Sequence, residues 1–183
     1  MERSDFEHIL RAAAAITGQN EFVLNGSQSL LGEFPDAPRA LRVSDELDII
    51  VGTPGAPEEG HVSDLIDGTI GELSPFHSTF GYYAHGVAFK TAVFPSGWEE
   101  RAIRVRTERT GGATGVCMED HDLAASKLAA GRPKDLIFVA QLLLCGLASE
   151  AGVGERIALM PLDSTIQATL GLRLIAAKQL RTC

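Results

Sequence analysis

The segment Asp45–Val51 (DELDIIV) constrains the fold of this chain more than any other part of the sequence. Acidic and apolar residues alternate along it, and a period of two is typical of a β-strand with two unlike faces. Glu46 and Asp48 share one face. The other face carries the apolar residues Leu47, Ile49 and Val51. The apolar face predicts a core strand, while the acidic face is either solvated, as on an edge strand, or held against a divalent cation such as Mg²⁺.

Size and charge narrow the class of protein. The chain has 183 residues, of which 45% are apolar and 22% charged, as is typical of one globular domain or of one domain with a helical extension. Its formal net charge of −8 disfavours general binding to a nucleic-acid backbone, although a local basic cluster could hold one nucleotide.

The longest apolar run, residues 136–148, is interrupted by Gln141 and is too short to span a bilayer. The first residues lack the pattern of a signal peptide, so we expect a cytoplasmic protein without a membrane partner.

Hydrophobic periodicity predicts an α+β fold with a small mixed β-sheet and helices on one side of it. Strands are predicted over Glu21–Leu24, Asp45–Val51, Val87–Phe94, Arg101–Thr107 and Val116–Met118. Helices are predicted over Asp5–Thr17, Gln28–Glu33, Val62–Glu72, Asp120–Ala130, Pro133–Leu147 and Ser164–Leu180. We therefore expect an α+β core over residues 1–118 and a C-terminal helical region over residues 119–183, packed on the core.

Several finer details of these elements are also predicted. Ser4 is expected to cap the first helix, with Glu7 completing a capping box and Gly18 ending the helix. The Pro-, Gly- and Glu-rich residues 52–60 and the run TGGATG at residues 110–115 are expected to be loops.

The turn Asn25-Gly26-Ser27 lies between the first predicted strand and a short predicted helix. Free backbone N–H groups at the start of a helix, together with a glycine that allows close approach, suit a phosphate group. An ordinary turn in which Ser27 caps the helix explains the same residues.

The order of these elements resembles a known family. A strand, a Gly-Ser turn and a helix, followed by a strand bearing Glu-x-Asp, are similar to the nucleotidyltransferase superfamily of the DNA polymerase β type. The later segment Asp122–Asp135 (DLAASKLAAGRPKD) resembles the K-x-x-A-x-R-x-K-D element of a bacterial branch related to toxins of toxin–antitoxin pairs. Residues 81–87 and 95–99 also look like that branch. The resemblance covers most of residues 23–144, and its specificity comes from the order and spacing of short motifs.

The resemblance implies an activity and a set of partners. It implies transfer of a nucleotidyl group from an NTP to an acceptor, which could be RNA, a protein or a small molecule. Gly26 and Ser27 would contact the triphosphate, and Glu46 and Asp48 would hold catalytic Mg²⁺ or Mn²⁺. A cognate antitoxin or a second copy of the chain is the implied protein partner.

The basic element has its own alternatives. Lys127, Arg132 and Lys134 place three cations near one predicted helix junction, where they could neutralise phosphate charge or form a solvated basic face. Asp135 falls in the first turn of the next helix, where the helix dipole favours a carboxylate. In the enzyme that the resemblance implies, Asp135 would orient the basic residues or assist deprotonation of the acceptor.

One feature departs from the superfamily. A third acid is expected on a later core strand, and the predicted strands Val87–Phe94 and Arg101–Thr107 contain none. The alternative is therefore a catalytically inactive module that uses the same fold to bind a nucleotide or a protein.

The histidines fall into two groups. His77 and His85 flank an aromatic group that could stack on a base or form a hydrophobic cluster under a loop. The other three, His8, His61 and His121, are predicted to lie on the surface.

Overall fold

A computed structural model describes residues 1–51 and 59–180, and it confirms the predicted α+β class. Five strands form one mixed sheet in the order β3-β2-β1-β5-β4. β1 is antiparallel to β2 and parallel to β5, β2 is parallel to β3, and β4 is antiparallel to β5. The strands are β1 (Glu21–Asn25), β2 (Glu46–Val51), β3 (Tyr83–Ala88), β4 (Ile103–Val105) and β5 (Thr114–Cys117).

Eight α-helices lie within the described residues: α1 (Arg3–Thr17), α2 (Glu59–Ile70), α3 (Pro75–Phe80), α4 (Trp98–Arg101), α5 (Asp120–Ala130), α6 (Pro133–Leu144), α7 (Glu150–Ala158) and α8 (Ser164–Leu180). Short 3₁₀ helices span Ser27–Gly32, Arg39–Leu41, Phe89–Thr91 and Glu108–Thr110. None of the helices in the described part of the chain is long and apolar enough to cross a membrane.

The chain forms two compact units. The sheet unit comprises Met1–Thr91 and Ala102–Cys117, and the helical unit comprises Ala92–Arg101 and the chain from Met118 onward. The short segment with α4 thus belongs to the helical unit, although it precedes β4 in the sequence.

The core of the sheet unit lies between one face of the sheet and helices α1 and α2. Alternate residues of β1 and β2 point into it and are almost fully buried: Phe22, Leu24, Leu47, Ile49 and Val51. The apolar stripes of the two helices face them, with Phe6, Ile9, Leu10 and Ala13 from α1 and Val62, Ile66 and Ile70 from α2. Burial of this face fixes which side chains of β2 point the other way.

Helix α2 covers the outer edge of β3. The Ser63 hydroxyl donates to the Gly86 carbonyl at 2.6 Å, and the Gly86 amide donates to Asp67 Oδ1 at 2.7 Å. A Cβ at position 86 would lie 2.8 Å from the Ser63 Cα, so only glycine allows the helix to approach this closely. The edge strand is thereby held in place at the residue that follows His85.

Buried carboxylates and guanidinium groups stabilise the helical unit. The Asp122 side chain is fully buried and accepts two hydrogen bonds from Arg101, both at 2.8 Å. Arg156 Nε lies 3.2 Å from Oδ1 of the same carboxylate. Arg101 in α4, Asp122 in α5 and Arg156 in α7 therefore join three helices through one ionic centre.

The strand predictions were only partly correct. β1 and β2 lie where they were predicted, within one residue at each end. The strand predicted over Val87–Phe94 instead spans Tyr83–Ala88, because parallel pairing with β2 determines which residues join the sheet. The strand predicted over Arg101–Thr107 is limited to Ile103–Val105. The loop predicted over residues 110–115 is wrong at its end, since Thr114 and Gly115 pair with β1.

The helix predictions were more accurate, with local corrections. α5 and α8 have the predicted bounds, α6 ends at Leu144 rather than Leu147, and α7 was not predicted. The N-cap of α1 is Glu2, which forms a capping box with Asp5, so the predicted Ser4 cap is wrong. Most of the predicted loop at residues 52–60 lies outside the described residues.

Candidate functional site

Two carboxylates and an imidazole meet on the face of the sheet opposite the α1–α2 core. Glu46 and Asp48 point out from β2 with 29% and 26% of their side chains exposed. His85 lies on the neighbouring strand β3, directly opposite Asp48 in the register. Its Nδ1 is 3.2 Å from Glu46 Oε1 and 3.5 Å from Asp48 Oδ1. We call these three residues the carboxylate–histidine cluster.

The surroundings of Tyr83 show that this face of the sheet is strongly negative. Tyr83 pairs with Glu46 in the register of β2 and β3. Partial burial raises the pKa of its hydroxyl, and the negative charges of Glu46, Glu72, Asp48 and Asp45 raise that pKa further. A cation placed here would be stabilised by the same field.

The Gly26 turn lies directly beside Asp48. Gly26 has φ +76° and ψ 179°, a backbone conformation that residues with a side chain rarely adopt. A Cβ at this position would lie 2.0 Å from Asp48 Oδ2, so the backbone comes as close to the carboxylate as glycine allows. The register explains this proximity, because Asn25 pairs with Asp48 and Gly26 follows Asn25.

Ser27 does not have the capping role that the sequence suggested. The N-cap of the 3₁₀ helix Ser27–Gly32 is Gly26, and no side chain caps this helix. Ser27 is instead the first residue of the helix, and the Gln28 side-chain amide donates to its hydroxyl at 3.4 Å. The expected cap is therefore wrong, while the turn that it was meant to explain is present.

The third group of the cluster is the residue that the sequence analysis missed. The sequence analysis connects His85 only with the neighbouring aromatic residues, and the predicted strand begins after it, at Val87. The alternation Tyr83, His85, Val87 against Ala84, Gly86, Ala88 is a strand pattern with one small-residue face, and it could have revealed the correct start. In the described residues, the third side chain within ligand distance of Glu46 and Asp48 is thus an imidazole rather than a carboxylate.

The other predicted site residues lie in the helical unit, around Asp135. This carboxylate is almost fully buried in the first turn of α6 and accepts from Arg132 Nε at 2.7 Å and Arg132 Nη2 at 3.1 Å. Asp135 also accepts a hydrogen bond from the backbone amide of Arg132, so that the two residues form a capping box. The Lys127 ammonium lies 3.7 Å from Asp135 and 5.8 Å from the ring centre of Phe138. Lys134 is exposed.

Electrostatics keep Asp135 ionised. Burial alone would raise the pKa of this carboxyl, but the hydrogen bonds from Arg132 and the charges of Lys127 and Arg132 outweigh burial and lower the pKa below its ordinary value. A carboxylate with a lowered pKa is a weak base. Its contacts suit it to orient Lys127 and Arg132 rather than to accept a proton.

A second group of acids and a histidine lies at the start of α5. His121 Nδ1 is 2.5 Å from Glu119 Oε1 and 3.1 Å from Asp120 Oδ1, so His121 is not the solitary surface residue that was expected. Its Nε2 accepts a hydrogen bond from the Ser149 amide at 3.0 Å. Arg156 lies 3.7 Å from Glu119. These contacts link the start of α5 to α7.

The pKa of Glu119 reflects these contacts. Burial opposes ionisation, but a side-chain hydrogen bond shared with Asp120, the hydrogen bond and charge of His121 and the Asp122 amide lower the pKa to about 2. Glu119 is therefore an ionised partner in a structural network.

The aromatic residues near His77 pack against α1. His8 of α1 hydrogen bonds to the Tyr82 hydroxyl at 2.7 Å, and its ring centre lies 5.1 Å from Phe76 and 4.7 Å from Phe80. His8 was expected on the surface, but it forms part of this ring cluster. Burial and the nearby charge of Arg11 lower its pKa, with Asp5 acting in the opposite direction.

Searches against models of protein families, curated proteins and solved structures found no match to this chain.

Proposed function

We propose that this protein is a metal-dependent nucleotidyltransferase, which transfers a nucleotidyl group from an NTP to an acceptor. The observation that carries the proposal is the juxtaposition of the Gly26 turn and Asp48. A turn without a side chain lets phosphate oxygens approach backbone N–H groups, and the adjacent carboxylates attract the cation that accompanies a triphosphate. The motif order of the sequence supports the same activity.

The residues of the sheet unit fit a divalent cation. The donor set has two carboxylates on one strand face, and the absence of a side chain at Gly26 lets the Asp48 carboxylate lie directly against the turn. Glu46 and Asp48 would hold Mg²⁺ or Mn²⁺, which would neutralise phosphate charge and align the triphosphate. The backbone at Gly26 and Ser27 would position the phosphates.

The transfer reaction forms one bond to phosphorus and breaks another. The oxygen of an acceptor hydroxyl bonds to the α-phosphorus of the NTP, the bond from that phosphorus to the bridging oxygen of the β-phosphate breaks, and pyrophosphate leaves. The hydroxyl proton passes to solvent or to a carboxylate beside the acceptor. Within the helical unit, Lys127, Arg132 and Lys134 are cations of the kind that stabilise phosphate charge, and Asp135 contacts the first two.

His85 favours a second candidate function. Because an imidazole stands where the superfamily pattern expects a third carboxylate, the protein could bind a nucleotide or a partner protein without catalysis. In that case the same residues would bind the metal–nucleotide complex, but no transfer would follow.

Incubation with labelled NTPs, Mg²⁺ or Mn²⁺ and cell extract tests the proposal. We expect label to appear on RNA, on a protein or on a small molecule, and we expect Asp48→Asn to reduce this transfer at least about 100-fold. The matched control is Asp45→Asn, because Asp45 lies next to β2 but is 65% exposed and pairs with the N-terminal amine.

The assay distinguishes the transferase from the binding module. ATP binding that depends on Asp48, without transfer of any labelled NTP, would favour the binding module. Transfer that is equal in wild type and Asp48→Asn would contradict the assigned site.

A further inference from the structure

His85, the third member of the carboxylate–histidine cluster, affects which metal ion the site would prefer. Around an octahedral cation with bonds of about 2.1 Å, adjacent ligand atoms lie about 3 Å apart. The His85 Nδ1 distances of 3.2 Å to Glu46 and 3.5 Å to Asp48 are close to that spacing. The three ligand atoms all lie within 4.8 Å of one another, so a small inward movement would bring them around one ion.

The backbone restricts where the imidazole can go. His85 is aligned with Asp48 by parallel pairing of β2 and β3, and the next residue, Gly86, is held by Ser63 and Asp67 of α2. His85 nevertheless keeps 47% of its side chain exposed. A bound ion would thus have protein ligands on one side and open positions for water or phosphate oxygens on the other.

The chemistry of the ligands discriminates between cations. Mg²⁺ is bound almost entirely through oxygen and keeps several of its waters. An imidazole nitrogen suits first-row transition metals, and Mn²⁺ is the ion of that series that shares the preference of Mg²⁺ for carboxylates and water. Replacing one expected carboxylate by histidine also removes one negative charge, which weakens the attraction for Mg²⁺ without a compensating nitrogen bond.

The other group of acids with a histidine lacks these properties. The Nε2 atom of His121 accepts a hydrogen bond from the Ser149 amide, which ties this ring to α7. The Arg156 guanidinium lies against Glu119, where it would repel a metal ion.

We propose that Glu46, Asp48 and His85 together bind a first-row transition-metal dication, and that the His85 nitrogen makes the site prefer Mn²⁺ to Mg²⁺. This inference rests on the proposed function for the location of the metal, and it adds the third ligand and the identity of the ion.

Electron paramagnetic resonance with Mn²⁺ alone, without nucleotide, tests the proposal on the full chain. The signal of free aqueous Mn²⁺ decreases on binding, which gives the dissociation constant, and competition with Mg²⁺ gives the ratio of the two affinities. Spin-echo modulation from a directly bonded nitrogen reports whether an imidazole is a ligand. We expect nitrogen modulation in the wild type, and we expect its loss in His85→Ala with at least about tenfold weaker Mn²⁺ binding.

Two further variants make the test specific. His85→Asp supplies a third carboxylate, so the ratio of Mn²⁺ to Mg²⁺ affinity should fall by about tenfold relative to wild type. His61→Ala removes an exposed histidine of α2 and should leave both the affinity and the nitrogen modulation unchanged. Thermal melts verify that each variant is folded.

Several outcomes would overturn the inference. Wild-type protein that binds no Mn²⁺, or binds it without nitrogen modulation, contradicts it without reference to any variant. Equal Mn²⁺ affinity in wild type and folded His85→Ala would also contradict it. These results are independent of the transfer assay: nitrogen-ligated Mn²⁺ without transfer would leave the inference standing and remove the proposed activity, and transfer without nitrogen ligation would do the reverse.

Discussion

Acidic residues in the two units of this protein have opposite surroundings. In the helical unit, Asp122 and Asp135 are almost fully buried and each accepts paired hydrogen bonds from a guanidinium group. In the sheet unit, Glu46 and Asp48 are about one quarter exposed and face an imidazole, which is charged only when protonated.

This difference separates acids that hold the fold from acids that we propose to bind a cation. A buried carboxylate with guanidinium partners cannot be neutralised without leaving its partners unpaired, so its removal is costly. Two neighbouring carboxylates repel each other, and a cation relieves that repulsion. The five predictions below test the contrast.

The largest expected effect is from Asp122→Asn. Removing this charge leaves Arg101 and Arg156 facing a neutral amide, and breaking a buried pair in this way costs about 3–5 kcal/mol of unfolding free energy. Urea denaturation followed by circular dichroism measures the loss. Glu155→Gln is the matched control, because Glu155 lies 4.0 Å from the same Arg156 but is 75% exposed, and it should cost at most about 1 kcal/mol. Equal losses would show that burial does not distinguish the two acids.

Loss of apolar packing in the helical unit should lower the unfolding free energy by nearly as much. Leu143 is buried on α6, and its replacement by alanine should cost about 2–5 kcal/mol. The adjacent Leu144 is 55% exposed, so Leu144→Ala should change stability by no more than about 0.5 kcal/mol. The same denaturation experiment compares the two variants, and a loss below about 0.5 kcal/mol for Leu143→Ala would place this face of α6 outside the core.

The Lys127→Ala variant tests whether a cation of the helical unit also binds a ligand. If it contacts a triphosphate, Lys127→Ala should weaken ATP binding by about 1.5–3 kcal/mol, the value of a charge-assisted contact. Calorimetric titration measures the affinity, and a thermal melt separates this loss from the loss of the Asp135 contact. Lys178→Ala, which removes an exposed lysine of α8, should leave ATP affinity unchanged. Unchanged affinity in a folded Lys127→Ala protein would leave Lys127 only its role beside Asp135.

The pH dependence of stability should reveal the lowered pKa of Glu119. Its pKa in the folded protein is lowered from 4.5 to about 2, so its contribution is fully present above pH 4.5 and is lost as the pH falls towards about 2. The unfolding free energy of Glu119→Gln should therefore fall less steeply than that of the wild type over this interval. Denaturation curves at several pH values measure the slope. A parallel fall in the two proteins would mean that Glu119 titrates normally.

The smallest expected effect is from Asp48→Asn at pH 7. Because this change removes one of two adjacent negative charges, stability should stay within about 0.5 kcal/mol of the wild type, even as the proposed cation binding is lost. The measurement is the same urea denaturation that is used for Asp122→Asn. A loss as large as that of Asp122→Asn would show that Asp48 holds the fold.

The elements that sequence reasoning predicted well are those whose pattern is local. The alternation in β2 and the helical periods of α5 and α8 are visible in a short window, and the structure has them where they were expected. The missed helix α7 contains Gly152 and Gly154, which weaken a helical pattern, and its start depends on the Ser149 cap.

The candidate site was only partly predictable for a related reason. Glu46 and Asp48 lie on one face because a single strand places them there. His85 joins them through the register between β2 and β3, whose residues lie 37 positions apart in the sequence. A pairing of that kind depends on the packing of α2 against β3, and no local period encodes it.

The contacts of Ser63 and Asp67 with Gly86 also affect how the protein meets other chains. An exposed edge strand offers unpaired amide and carbonyl groups on which another extended chain can add, the usual first step of sheet-mediated aggregation. At Gly86 both groups already bond to side chains of α2. An incoming strand would have to displace the helix before it could pair there, so the segment that carries His85 is protected from cross-strand association.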